Sequence, residues 1–515
     1  MTPFRIGLCQ ARTYGVEEPE ANLQELLELL DDAGQAGCQL VATPECSYPA
    51  YYLRDPKPYA RDGVRSYEEV CAVFAHYARK YGYWLAAGIA RPAKKGLANS
   101  AVIFDPEGEV RGHYDKSFLW HFDGNWFQPG REFPVWDAGF CKFGALICAD
   151  GRQPEIARSL AVNGAELILD LTAWVSWGRD PALLNNPQCE YFMPARAFEN
   201  GVWVAAADKW GPEAGTIVYA GRSTVIAPTG ETLVCAPSEG STVVVYDIDP
   251  VTVETVPRRP SLYAGLIAPT KTLPVTKVLQ EPLIPAEESH RVAVVPSNGA
   301  FDAARTGSLY RECRAQGADL VVFGGDDGPE GWQVALPALE ALVRDVGGAL
   351  ALGVTTTGCS IHQSAALITP EGTTEHAATH GRGIQLGEAL CPVIPTPAGN
   401  VALLCGDEGL VPEVSRDLML RGAEILAWTL FADTPMTERL ARTRADENRV
   451  YAAAAWPGGA LVAGPAGGLL TAAPEGSGLA MAAQVNRALS RWKDMAPGTN
   501  VVRHRIPDAY RALVQ

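Results

Sequence analysis

The chain has 515 residues, 47% hydrophobic and 20% charged, too long for one ordinary core and too evenly mixed for disorder, so two or more folded domains are expected. Its 43 Lys and Arg stand against 59 Asp and Glu, a formal charge of -16, and such a surface repels a phosphate backbone, so no nucleic-acid partner is expected. The opening MTPFRIGLCQ turns polar too soon for a secretory h-region and no apolar run of about 18 residues occurs, which predicts a soluble cytoplasmic chain without membrane association.

Short apolar strands alternate with amphipathic helices from the start. The pattern predicts strand 4–9, helix 20–36, strand 39–43, helix 66–81, strands 84–89 and 99–104, strand 143–147, helix 153–163, strand 166–170, helix 187–199 and strand 202–207. Such alternation with mixed hairpins indicates an α/β layered domain. Seven prolines then fall within 250–290, where apolar periodicity is weak, which marks a connector.

Beyond it the first half is echoed. Asn99-Ser-Ala-Val-Ile-Phe-Asp-Pro-Glu-Gly108 lines up with Gln363-Ser-Ala-Ala-Leu-Ile-Thr-Pro-Glu-Gly372, and Leu146-Ile-Cys148-Ala-Asp150 with Leu403-Leu-Cys405-Gly-Asp407. After one inserted residue Gly164-Ala-Glu166 matches Gly422-Ala-Glu424, and Arg196-Ala-Phe-Glu199-Asn200 matches Arg444-Ala-Asp-Glu447-Asn448. Collinear matches of this kind indicate a tandem duplication. The expected division is 1–268, a linker 269–289, and 290–515.

The twelve cysteines are scattered singly, without a C-x-x-C pair or a Cys/His cluster, so neither a structural metal site nor a disulfide framework is expected, and most should be small buried hydrophobes. One stands apart by context. Thr43-Pro44-Glu45 ends an apolar strand, His113-Tyr-Asp-Lys116 follows a hairpin, and Ala145-Leu-Ile-Cys148-Ala-Asp150 ends another strand. A thiol, an acid to take its proton and an amine to hold an oxyanion are the parts needed to attack a carbon bound to nitrogen. Phe323-Gly-Gly-Asp-Asp-Gly328 lacks the lysine and hydroxyl of a phosphate loop and reads as the counterpart of Thr43-Pro44-Glu45.

These stretches resemble the nitrilase superfamily of carbon-nitrogen hydrolases, whose catalytic Glu, Lys and Cys come in this chain order. Ala42-Thr-Pro-Glu45, Tyr114-Asp-Lys116 and Ile147-Cys148-Ala-Asp150-Gly-Arg152-Gln-Pro154-Glu155 carry the likeness, and the last is similar to the amidase, ureidopropionase and carbamoylase branches rather than to true nitrilases with Cys-Trp-Glu. The resemblance covers 4–268 strongly and 290–515 weakly. It implies catalytic roles for Glu45, Lys116 and Cys148, and for Asp123, which stands where these branches carry a second glutamate. It also implies substrate contact at His121 and an oxyanion donor in the Ala149 N–H. Trp174 belongs to an aromatic group with Trp120, Trp126, Phe127 and Trp177 that reads as either a pocket lining or core.

Asp150, Arg152, Glu155, Arg196, Glu199 and Asn200 read as supports of the turn. Gly151 replaces a carboxylate-holding arginine of the carbamoylase pattern, leaving Arg179, Arg222 or Lys209 for that task. The implied fold is a four-layer αββα sandwich, duplicated in tandem and packed as a pseudo-twofold intrachain dimer that can associate further as a homo-oligomer. The implied reaction is cleavage of a small amide or ureido substrate through a thioester, with no metal and no cofactor. Transfer of the same acyl group to an amine, and a non-enzymatic scaffold, are the alternatives; the scaffold predicts a broken triad in both copies. In the second copy the thiol aligns with Cys405, the glutamate with Gly325 and the lysine with His380, so that copy is expected to be silent.

Overall fold

The computed structural model describes residues 1–55, 57–176, 180, 182–282, 288–328 and 332–515. Two compact units are present: Met1–Thr255 with Ala496–Thr499, and Val256–Met495 with Asn500–Gln515. The expected end of the first copy at 268 therefore moves. Residues 256–268 belong with the second unit because their polar groups are satisfied there: Arg258 pairs with Glu413 at 2.8 Å, Tyr263 Oη meets His380 Nε2 at 2.7 Å, and the Gly265 amide donates to Asp417 at 3.1 Å. Of the expected linker, Leu283–Glu287 lie outside the described residues.

In the first unit one sheet runs Ile217–Ala220, Lys209–Glu213, Phe4–Arg12, Leu40–Ala42, Trp84–Ala93, Gly96–Phe104, Val110–Asp115, with Thr242–Ile248 also antiparallel to Phe4–Arg12. The other runs Thr232–Cys235, Thr224–Ile226, Trp203–Ala207, Leu167–Leu171, Lys142–Ile147, Val135–Asp137. The central strands of each are parallel and apolar on both faces, as strands covered on two sides must be. Helices Pro19–Gln35 and Tyr67–Tyr81 lay Leu23, Leu26, Leu30, Val70 and Phe74 on the outer face of the first sheet. Pro154–Val162 and Met193–Asn200 pack on the second, giving αββα layers. The helix Tyr67–Tyr81 is bounded as its sequence dictates, by a Ser66/Glu69 capping box and left-handed Gly82.

The second unit repeats this with two six-stranded sheets. Along Ser289–Val295, Val292 and Val294 face the inter-sheet core with Val401, Leu403 and Ile425, while Ala293 and Val295 face the helices with Tyr310, Leu339 and Val343. Alternation with a period of two thus divides one strand between two cores. The predicted elements of the first copy are all present; the short strands Val135–Asp137, Lys209–Glu213 and Thr232–Cys235 carry too little apolar pattern to be read beforehand. Among the described residues no helix is long and apolar enough to cross a membrane.

Candidate active site

Parallel strands deliver two of the three expected groups from their C-terminal ends, where open α/β sheets gather chemistry. Glu45 follows Leu40–Ala42 in a turn knitted to the neighbouring strand: Gly88 N donates to Thr43 Oγ1 at 3.0 Å and Ser47 N to Gly88 O at 2.8 Å. Only glycine fits at 88, since a Cβ there would lie 1.9 Å from the Pro44 carbonyl oxygen. Cys148 follows Lys142–Ile147 and opens the 3-10 turn Cys148–Arg152 with φ +47°, a left-handed conformation costing a non-glycine residue roughly 1–3 kcal/mol. Lys116 follows the antiparallel strand Val110–Asp115.

The structure brings three of these side chains together in a buried ion cluster. Lys116 Nζ donates to Glu45 Oε1 and to Asp123 Oδ2, both at 2.7 Å, and all three residues are completely buried. Asn99 Nδ2 also donates to Glu45 Oε1, at 2.6 Å, whereas Glu45 Oε2 has no hydrogen-bond partner among the described residues. Asp123 is fully engaged: Tyr51 Oη donates to Oδ1 at 2.7 Å and the Trp120 amide to Oδ2 at 2.9 Å. Its shorter side chain thus ends on the ammonium, which it braces. An ammonium has three donors, so one remains for a third acceptor.

The charges respond to this burial. Burial raises the Glu45 carboxyl, with Lys116 opposing and Asp123 adding to the rise. Burial works against the Lys116 charge, but the carboxylates of Asp123 and Glu45 outweigh it and lift the ammonium well above its ordinary range. Burial pushes the Cys148 thiol well up, the Glu45 charge reinforcing this and Lys116 opposing it. A thiol held protonated beside a strengthened base with a free oxygen is suited to deprotonation on demand.

The nucleophile turn is held from three sides. Cys148 N donates to Asp170 Oδ1 at 2.8 Å, its carbonyl accepts from Gln188 Nε2 at 2.5 Å, and its Sγ lies 3.8 Å from the Ala173 carbonyl oxygen. Asp150 closes the turn by accepting the amides of Ser117, Phe118 and Ile147 and the Tyr114 hydroxyl. Arg152 lies over the rings of Trp120 and Phe192, and Arg196 reaches the Gly151 carbonyl at 2.9 Å while pairing with Glu199. A side chain at 151 would meet the Met193 methyl at 2.1 Å.

The remaining expected residues divide. Ala149 is buried at the second position of the turn, where amides lack an intra-turn acceptor. His121 is exposed, at φ +48°, with its amide on Thr499 Oγ1 of the same compact unit. Trp174 is fully buried, its amide on Asp208. Trp126 and Phe127 join Tyr51, Phe122 and Tyr219 in an aromatic cluster. Lys209 is buried with Nζ on the Cys46 carbonyl and over the Tyr51 ring that also faces Lys116. Trp177 and Arg179 lie outside the described residues. Asn99, Tyr51, Asp170 and Gln188 were missed as site residues; of these only Asn99 had a signal, the repeat match to Gln363.

Strand register corrects two assignments in the second copy. Lys116 N bonds Asn99 O, and its equivalent, Ala378 N, bonds Gln363 O, so the lysine position is Ala378 rather than His380. Asp150 accepts the Ile147 amide and Glu408 the Cys405 amide, so Cys405 matches Ile147 and the nucleophile position is Gly406, φ +56°. The apparent inserted residue before Gly422 disappears with this shift. Gly325 does match Glu45: their amides bond Leu430 O and Thr172 O respectively. Cys405 points into the inter-sheet core.

Among the described residues no group of three or more His, Cys, Asp or Glu could hold a metal ion. The sequence model of the carbon-nitrogen hydrolase family matches residues 5–258 and 303–493. A nitrilase of Pyrococcus abyssi is 34% identical over 234 residues, covering 45% of this chain and 85% of that protein. Omega-amidase NIT2-B of Xenopus laevis is 30% identical over 259 residues, covering 48% and 90%. A crystal structure of an amidase from Nesterenkonia sp. is 29% identical, covering 48% of this chain and 90% of its own, with a TM-score of 0.42.

Proposed function

Since the chain belongs to the carbon-nitrogen hydrolase family and is an amidase-type enzyme, we propose that its first unit cleaves a non-peptide amide or N-carbamoyl C–N bond through a thioester on Cys148. Glu45 Oε2 takes the thiol proton and Sγ attacks the substrate carbonyl. The oxyanion is held by the third N–H of Lys116 and by the Ala149 amide. The C–N bond then breaks, the leaving nitrogen takes the proton from Glu45, and ammonia or an amine departs. Water, losing a proton to Glu45, attacks the thioester and returns the thiol.

Asp123 is a positioning residue here: it shares the Lys116 charge with Glu45 and keeps the ammonium fixed. The observation that carries this reading is the buried cluster in which Lys116 spans Glu45 and Asp123 at 2.7 Å beside a strained, buried thiol. Burying three charges is costly unless geometry and hydrogen bonding compensate, and an arrangement of that cost in a scaffold without chemistry has no return. The names of the Xenopus relatives, omega-amidases, favour an amide.

The test is mass spectrometry of the protein after exposure to a panel of amides, ureido acids and nitriles. An acyl adduct from an amide or ureido compound on the Cys148 peptide is expected; adducts from nitriles alone, or on another cysteine, would overturn the reading. Product analysis with added amine separates hydrolysis, in which the free acid accumulates regardless, from acyl transfer, in which the amine is acylated.

A further inference from the structure

Each peptide group that flanks Cys148 is held by a side chain from another element. The group before it donates its N–H to Asp170 Oδ1 at 2.8 Å, and the group after it accepts, at the Cys148 carbonyl, from Gln188 Nε2 at 2.5 Å. That second group is the one that carries the Ala149 N–H. A peptide is planar and trans, so its C=O and N–H point in opposite directions and fixing one fixes the other. Gln188 therefore sets where the Ala149 N–H points, and the bond accepted by the carbonyl polarises the same peptide into a better donor.

The glutamine is itself fixed on several sides. Its Oε1 accepts from Arg152 Nε at 3.2 Å, its backbone amide donates to Asn186 Oδ1 at 2.9 Å, and Asn186 Nδ2 reaches the Val175 carbonyl at 2.8 Å. It is buried at the start of the widened turn Gln188–Phe192 that leads into the helix Met193–Asn200, an irregularity of the kind that recurs at functional sites. A Cβ at Gly151 would come within 3.3 Å of Gln188 Nε2, so the glycine leaves that amide room.

Arg152 carries the link onward. Its guanidinium lies 4.9 Å from the centre of the Trp120 ring, and the Trp120 amide donates to Asp123 Oδ2, the oxygen that also accepts from Lys116 Nζ. One chain of contacts thus joins the Ala149 N–H to the Lys116 ammonium through Gln188, Arg152, Trp120 and Asp123. A buried carbonyl needs some donor in any case, and in the second copy the equivalent carbonyl, that of Gly406, takes a bond from Trp428 Nε1 at 2.8 Å. The position of Arg152 there is Leu410, since Arg444 reaches the Leu410 carbonyl as Arg196 reaches that of Arg152. Where the Glu–Lys pair is missing, the donor is an indole and the cation behind it is gone.

We propose that Gln188, backed by Arg152, is a positioning residue of the oxyanion site: it aims the Ala149 N–H and keeps it in register with the third N–H of Lys116. This rests on the thioester mechanism proposed above, in which those two groups hold the oxyanion. The effect of Gln188 and Arg152 is confined to steps in which a carbonyl oxygen gains charge, and it leaves the thiol's reactivity towards other carbons as it was.

The experiment separates the thiol from the oxyanion site in the full-length protein. Iodoacetamide alkylates Cys148 by displacement of iodide, with no oxyanion, whereas butyraldehyde adds the thiol across its carbonyl and sets an oxygen where the tetrahedral intermediate has one. Alkylation of the Cys148 peptide, followed by mass spectrometry near pH 8 at rising butyraldehyde, yields the aldehyde's Kd from its protection of the thiol. Gln188→Met, which keeps the volume and loses both side-chain hydrogen bonds, should be alkylated within about 2-fold of the parent's rate and bind the aldehyde roughly 10- to 10²-fold more weakly, short of the loss of a whole donor. Gln188→Glu, which keeps the acceptor for Arg152 and loses the donor to the carbonyl, should show the same split, so the result does not depend on the folding of one variant. Arg152→Leu, the second copy's residue, should weaken the aldehyde about 3-fold or more with its alkylation rate retained. Unchanged aldehyde affinity in Gln188→Met, or an alkylation rate that falls in step with it, would overturn the proposal, the second outcome making Gln188 a support of the thiol alone. Unchanged affinity in Arg152→Leu would overturn the link to Lys116. A parent whose Cys148 is alkylated but never protected by the aldehyde would count instead against the thioester mechanism itself.

Discussion

At three equivalent backbone positions the two copies present Glu45, Lys116 and Cys148 in one and Gly325, Ala378 and Gly406 in the other. Several supports of the turn are better preserved. Arg196 pairs with Glu199 and holds the Gly151 carbonyl; Arg444 pairs with Glu447 and holds the Gly409 carbonyl, both at 2.9 Å. Glu166 and Glu424 accept the amides of Lys142 and Asn400 at 2.8 and 2.9 Å. What the second copy lacks at these positions is the Glu–Lys ion pair; the Phe431 ring crowds Gly325, and Gln363, with Phe431 farther off, lies against Gly406. A Cβ at Gly325 would lie 2.3 Å from Phe431 and one at Gly406 3.4 Å from it, and Phe431 stands where the first copy has Ala173. Buried charge is retained where a reaction requires it; once that requirement lapses, apolar filling is the cheaper way to close the same space.

The largest contrast to test is therefore between the two cysteines. Cys148→Ala should abolish turnover, because it removes the thiol of the nucleophile turn, whose protonation Glu45 and Lys116 govern. Cys405→Ala should keep at least half of it, since Cys405 is a core residue at the position of Ile147. Comparable losses measured with one substrate would break the comparison. Lys116→Met comes next: kcat should fall roughly 10²-fold or more, the scale of a lost oxyanion donor, with circular dichroism showing whether the fold persists once Glu45 and Asp123 lose their counter-charge. An unchanged rate would remove Lys116 from the site.

Phe431→Ala sharpens the comparison from the other side. Its ring packs against the inter-sheet core and is only partly buried, so denaturant unfolding should show a loss of about 2 kcal/mol, below the range for a fully buried Phe. The kcat of the first unit should be unaltered. A loss of activity matching that of Cys148→Ala would mean that the second copy takes part in the chemistry.

Much of this was legible in the sequence for a physical reason. Glu45 and Cys148 each follow an apolar strand and Lys116 follows a hairpin strand, and strand ends are where periodicity changes, so motif and element boundary coincide. The partners that fix them were hidden because they come from elsewhere in the chain: Asn99 mid-strand, Tyr51 in a loop, Asp170 inside an apolar run, Gln188 at a helix entrance. The register slip at Cys405 has a simpler source. Leu-x-Cys-x-Asp recurs by letter, whereas the conformation that defines the nucleophile position is a left-handed φ, at Cys148 in one copy and at Gly406 in the other. A glycine takes that conformation with no steric cost, so a lost nucleophile leaves no trace in the pattern except a glycine.

The last contrast lies at His380, which the register sets at the position of Phe118 and whose effect is confined to acid pH. Both are buried, but His380 carries polar atoms that Tyr263 and Thr379 satisfy at 2.7 and 2.9 Å. Burial, with Arg259 adding and Glu408 and Glu413 opposing, lowers its imidazole from 6.5 to about 4. Between those two values the unfolded chain binds a proton that the folded ring refuses. Stability must therefore fall as pH drops from about 6.5 towards 4, by up to about 3 kcal/mol for this one group, and be independent of it above that window. His380→Phe restores the first copy's residue and removes the titration. It also strips Tyr263 and Thr379 of a partner, so its stability at pH 7 should be lower than that of the parent. The measurement that discriminates is the slope: urea unfolding between pH 4.5 and 7 should show a shallower pH dependence in the variant, and a parallel curve displaced downwards would mean that His380 accepts its proton in the folded state.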